Sequence, residues 1–164
     1  MALLWTVSFG CYVAGLGQPL FGGLSLLLAL YTPFFMARRL RHFRDVGRDG
    51  VISMRRGWGF VVLTFFYASV LLALAQYAYF AYLDKGFMLG AIDQMLHAPE
   101  SVQMLRQYGM SESLEASLSQ MREMRPIDIA INVLTTNILI GIFLGLPIAA
   151  LSQRSVKAKP DGQA

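Results

Sequence analysis

A chain of 164 residues that is 55 % hydrophobic and 15 % charged, with a mean hydropathy of +0.50, is neither a disordered polymer nor an ordinary soluble domain, where charged residues make up about 25 %. A single cysteine, Cys11, excludes an intramolecular disulfide, and with only two histidines, His42 and His97, set far apart, a Cys/His zinc centre is excluded too. The formal net charge of +4 acts through its location: the basic residues cluster beside long uncharged stretches, a membrane pattern rather than a nucleic-acid-binding one.

In chain order, residues 2–17 are apolar and uncharged, but fall short of the ~20 residues needed to cross a hydrocarbon core. The segment reads as a short first span; a signal-anchor or re-entrant segment is the alternative. It has no basic n-region and no A-x-A-like cleavage site, and Ser8-Phe9-Gly10 before Cys11 is a poor lipoprotein signal. Gly15-Leu-Gly-Gln-Pro19 is turn chemistry. A second apolar run covers 20–37, where Gly22, Ser25 and Ala29 allow close approach of a neighbour and Pro33 kinks the end. Residues 38–56 then carry seven arginines, Arg38, Arg39, Arg41, Arg44, Arg48, Arg55 and Arg56, with a turn at Gly47 and Gly50. This connector reads as a helical extension followed by a turn.

Residues 57–83 contain no charge and reach about 40 Å as a helix at ~1.5 Å per residue, longer than the hydrocarbon core. Trp58 at one end and Tyr77, Tyr79 and Tyr82 at the other fit interfacial aromatic belts, and Gln76 is the one strongly polar side chain in the outer part. Residues 84–126 are polar. Pro99-Glu100 reads as a helix start, Gly109 as a break, Ser111 or Ser113 as a cap, and Leu114, Leu118 and Met121 as an apolar stripe. The expectation is a helical hairpin, or a broken amphipathic helix, on the membrane surface or over the bundle. In the last run, 127–151, Asn137, Gly141, Gly145 and Ala149 recur every four residues and predict a helix-packing face, while Pro147 bends the final turns. The tail, 152–164, is polar and expected to be disordered.

The arginine connector and the tail together hold ten Lys/Arg against three Asp; the region from Asp84 to Asp128 holds four Lys/Arg against seven acids. The positive-inside rule then places the connector and both termini in the cytoplasm and 84–126 outside. The fold class is all-α: a polytopic membrane protein with four transmembrane helices and an external amphipathic helical segment between spans 3 and 4. Arg38, Arg39, Arg41, Arg44, Arg55 and Arg56 are candidate contacts for anionic lipid, although fixing topology is the favoured reading of them.

Catalytic signals are sparse. No G-x-S-x-G, H-E-x-x-H, P-loop or paired-cysteine motif occurs, and on this topology His42 and His97 lie on opposite sides. Asp84 and Asp128, at the outer ends of adjacent spans, form with Gln76 a candidate polar cluster. No cofactor or metal is expected, and the spans hold no ionisable residue in their interiors, which disfavours proton-coupled antiport.

Several segments in combination resemble a bacterial membrane-protein family of unknown function, domain-of-unknown-function family number 4199. They are Leu24-Ser-Leu-Leu-Leu-Ala-Leu-Tyr31 leading into Ala37-Arg-Arg-Leu-Arg-His-Phe-Arg-Asp45, the connector Asp49-Gly-Val-Ile-Ser-Met54 before Gly57-Trp-Gly59, the span end Tyr77-Ala-Tyr-Phe-Ala-Tyr-Leu-Asp84, and Gly109-Met-Ser-Glu112 leading through Met124-Arg-Pro126 into the last span. The likeness runs from about Leu20 to Leu151. Lys85 stands where the family often has proline, and the first span is shorter than usual. The resemblance implies a four-helix inner-membrane protein with an external helical segment, and no activity. The functional expectation is a non-enzymatic scaffold or accessory subunit whose partners are the lipid bilayer and a membrane protein or a second copy, with no nucleic acid. A small transporter or channel component is the alternative, and an interfacial enzyme using Asp84 and Asp128 the third reading.

Overall fold

A computed structural model describes residues 1–154, the side chains of Arg106 and Ser111 apart. Seven α-helices account for most of them: α1 Ala2–Gly15, α2 Pro19–Gly47, α3 Met54–Ala78, α4 Phe87–Leu96, α5 Pro99–Gln107, α6 Ser111–Glu123 and α7 Pro126–Ser152. A π-helical turn, Tyr79–Leu83, continues α3. Prolines open α2 and α7 at their first positions, where the missing N–H costs nothing and φ is already helical. Three segments, Pro19–Gly47, Met54–Leu83 and Pro126–Ser152, are long and apolar enough to cross a membrane. At 14 residues, or about 21 Å at ~1.5 Å per residue, α1 is shorter than these.

The helices pair as α1 with α2 and α3 with α7. In the second pair Gly57 lies against Ala149, Trp58 against Gly145 and Phe65 against Gly141, so the two helices run antiparallel. Bare glycines admit the rings: a Cβ on Gly141 would sit 2.5 Å from Phe65 Cβ, and one on Gly145 would sit 3.0 Å from Trp58 Cδ1. Trp58 Nε1 uses that space to donate to the Ile142 carbonyl at 3.1 Å. Its indole therefore packs inward, and its place near a span end reflects helix contact as well as any interfacial preference.

The α1–α2 pair is also antiparallel. Gly15 meets the Gly22 backbone. Ser8 Oγ donates to the Ser25 carbonyl at 3.1 Å and Ser25 Oγ to the Ser8 carbonyl at 2.9 Å. Trp5 Nε1 donates to Thr32 Oγ1 at 3.1 Å. Trp5 also meets Phe65 edge-on at 5.2 Å, joining this pair to α3. The core of Trp5, Met36, Leu40, Val61, Phe65, Ala68, Leu72 and Ile148 sits where the two pairs meet. Large apolar side chains such as Leu26, Leu30, Phe34, Leu63, Leu71, Leu139, Phe143 and Leu151 point outward, far more apolar surface than a water-soluble monomer exposes.

The arginine segment continues α2 to Gly47, as an extension and then a turn with positive φ at Asp49 and Gly50. At this end Ile52 and Arg154 pair through two backbone hydrogen bonds of 3.1 and 3.2 Å, an isolated bridge that ties the connector to the end of α7. The expected disordered tail began at residue 152, but Ser152 closes α7 and Arg154 is bonded; residues 155–164 lie outside the described residues.

Between α3 and α7 the polar region forms three helices. An apolar helix, α4, precedes the expected two, α5 and α6. The expected serine cap is replaced: the N-cap of α6 is Met110, without a side-chain cap bond, and Ser113 Oγ donates to the Met110 carbonyl. Among the described side chains of this small unit Leu118 is the buried one, and Arg122 Nη2 reaches Asp93 Oδ1 at 2.7 Å, fastening α6 to α4.

Candidate functional site: an interhelical cleft and its surroundings

Where the α1–α2 pair meets α3 and α7, packing is incomplete. A cleft of about 370 Å³ remains, walled by Trp5, Phe9, Phe65, Leu72 and Leu144 among others. Gln76 and Asn137 both line it, with Ser8, Ser25 and Thr32 on the opposite wall. Most of these polar atoms are engaged close to home. Ser8 and Ser25 serve each other's carbonyls, Thr32 donates to the Leu28 carbonyl at 3.3 Å, and Asn137 Nδ2 donates to the Val133 carbonyl at 3.0 Å. Gln76 differs: it is 6 % exposed, and its Oε1 is buried without a hydrogen-bond partner. An unsatisfied buried amide costs roughly 1–3 kcal/mol.

The candidate polar cluster of Gln76, Asp84 and Asp128 divides among three places. Gln76 faces the cleft. Asp84 lines a separate cavity of about 460 Å³ at the junction of α3, α4, α6 and α7, with Phe80, Met88, Met124 and Asn132. Its oxygens accept from Gly86 N and Met88 N, both at 3.1 Å, so this buried carboxylate caps the start of α4 while Lys85 and Gly86 turn the chain with positive φ. Asp128 does not line that cavity. It pairs with Arg125 at 2.9 Å and accepts the Arg125 backbone N–H, a capping box at the head of α7.

Of the four small or amide residues predicted to share one face of α7, Gly141, Gly145 and Ala149 are buried against α3. Asn137 bonds within its own helix and turns to the cleft. The close approach in this stripe is taken up inside the chain.

Of the arginines named as lipid contacts, Arg38, Arg39, Arg41, Arg55 and Arg56 are exposed, as is Arg48. Arg44 is buried. Its Nη1 donates to the Ser152 carbonyl at 3.0 Å and its Nε to Asp45 Oδ1 at 2.7 Å. The guanidinium thereby closes the C-terminus of α7, where free carbonyls concentrate negative potential. This pair lies on the polar extension of α2, beyond its apolar stretch, and the hydrogen bond from Arg44 holds the Asp45 carboxyl below the usual carboxylate range.

Sequence reasoning singled out Gln76 but not the lack of a partner for its amide oxygen, and it missed the Trp5–Thr32 and Ser8–Ser25 contacts. Only the small residues of α2 hinted at a neighbour. Among the described residues no group of three metal-ligating side chains forms a site.

The architecture is that of an all-helical protein carrying three helices of membrane-crossing length and hydropathy. Within that class, the chain belongs to the family described as "Protein of unknown function (DUF4199)", matched over residues 1–154. No curated protein and no solved structure matches it.

Proposed function

We propose that the chain is a four-span protein of the bacterial inner membrane with both termini in the cytoplasm, acting as a non-enzymatic accessory subunit or scaffold. The fourth span is α1. Gly15 is level with Gly22 and Trp5 with Thr32, so α1 follows the apolar stretch of α2 almost throughout. The distribution of Lys and Arg between the two ends supports the orientation.

The accessory role rests on one observation. The α4–α6 unit exposes Met95 on α4, Met104 on α5, and Tyr108 and Met110 in the turn between α5 and α6, large apolar side chains on its outer surface. They lie outside the spans, and such flexible methionines suit a protein partner's surface. Meanwhile the small-residue face of α7 and the carboxylate caps at Asp84 and Asp128 serve the fold itself. In native membranes, a photocrosslinker at position 104 should repeatedly capture one membrane protein, or a second copy of this chain. The adduct should disappear in Met95→Glu/Tyr108→Glu while the melting temperature holds. Recovery of uncrosslinked monomer alone would overturn the role. The transporter or channel reading draws on the cleft holding Gln76 and Asn137; solute flux in liposomes that stops in Asn137→Leu would put that reading in its place.

A further inference from the structure

We propose that the cleft between the helix pairs is a seat for an uncharged, hydroxyl-bearing amphiphile taken from the bilayer, held through the Gln76 amide. Three properties of the site fix that chemistry. The first is the orphaned end of Gln76: its Oε1 is buried and unpartnered, while its neighbours Ser8, Ser25, Thr32 and Asn137 already donate to backbone carbonyls. An amide oxygen only accepts, so the missing partner must donate, and an uncharged hydroxyl does so.

The second property is the absence of charge. Among the described residues, no Asp, Glu, Lys, Arg or His lines the cleft, so a phosphate, carboxylate or ammonium group would be desolvated there without a counterion. The third is the wall. Aromatic and branched side chains surround the few polar groups, and the volume of about 370 Å³ falls in the range of small-molecule sites, which combine this kind of lining with sparse hydrogen-bonding groups. Tyr12, Ala29 and Ile140, which line the same cleft, are exposed. They place its mouth between α1, α2 and α7 on the outward apolar surface, where a chain from the bilayer can enter. At the arginine end the Arg44–Ser152 contact ties α2 to α7.

The probe is a diazirine-tagged long-chain primary alcohol, compared with its methyl ether, which cannot donate. Both are photolysed with the full chain in lipid nanodiscs and the modified residues mapped. Both should label outward residues such as Leu26 and Leu63, which reports insertion in lipid independently of the cleft. Only the alcohol should concentrate at Tyr12, Ile140 and Leu144, by about tenfold over the ether, the size of effect expected for one hydrogen bond in a dry site. Gln76→Leu should reduce the alcohol to the level of the ether. Ala29→Phe, a change on the exposed rim, should do the same by blocking entry, and tests the seat if Gln76→Leu fails to fold. Equal cleft labelling by the two probes, no labelling of the cleft, or alcohol labelling undiminished in both variants would overturn the proposal and leave the amide to water.

Discussion

At Gly141 the packing of α7 turns on a missing side chain. Phe65 fills the space a Cβ would take, and Phe65 is itself fully buried. Gly141→Ala should therefore lower stability by about 1–3 kcal/mol, the cost of forcing a methyl into a filled core. Gly59→Ala, where nothing lies within 4 Å of the added carbon, should be neutral or slightly stabilising. Thermal unfolding in mild detergent compares the two, and equal midpoints would contradict the contact. The four-residue spacing in 127–151 picked out Gly141 and Gly145, because helical periodicity is visible in one dimension. Their partners were not visible: nothing in the spacing says that Phe65 and Trp58 fill the gaps. Trp58 read as an interfacial anchor because its inward hydrogen bond depends on where a different helix lies. Gln76 was conspicuous as a polar residue, but its lack of a partner appears only once four helices are placed around it.

Between elements, the arginine end shows how a charge run can hide a structural residue. Seven arginines look alike as a solvated connector, yet Thr32, Met36, Leu40 and Arg44 are all buried on α2 at four-residue intervals. That line was a signal available in the sequence, and it places Arg44 on the inner face next to the end of α7. Together with the Ile52–Arg154 bridge, Arg44 fastens α2, the connector and α7. Arg44→Gln should speed hydrogen exchange at the Ile52 and Arg154 amides, whereas Arg41→Gln, on the exposed side, should leave both unchanged. Exchange unaffected in Arg44→Gln would show the contact to be idle. The turn at 15–19 and the helix start at Pro99 were legible because proline and glycine act locally. The apolar helix α4 was not: its ten residues, preceded only by Asp84, Lys85 and Gly86 and followed by a longer polar stretch, were averaged into the polar region, and its capping by Asp84 depends on a turn with positive φ at Lys85, a residue with no preference for it.

For the whole molecule, hydropathy carried most of the architecture. Three long helices follow from runs that only lipid or a large core could cover, and the outward Leu, Ile and Phe side chains remain uncovered by the chain. What hydropathy could not settle was α1, which is too short to be identified alone. Its place comes from the Gly15–Gly22, Ser8–Ser25 and Trp5–Thr32 contacts with α2. Its small and polar residues supply those contacts in place of length. The family match over residues 1–154 spans all of these elements.

The proposed layout puts the arginine connector and the α4–α6 unit on opposite sides of one bilayer, and site-directed labelling tests this most directly. In a Cys11→Ser background, Arg48→Cys and Glu112→Cys place single thiols at exposed positions of the two regions. A membrane-impermeant maleimide added to intact spheroplasts should modify the thiol at position 112 at once and the thiol at position 48 only after permeabilisation. Equal modification of both before permeabilisation, or the opposite order, would contradict the account.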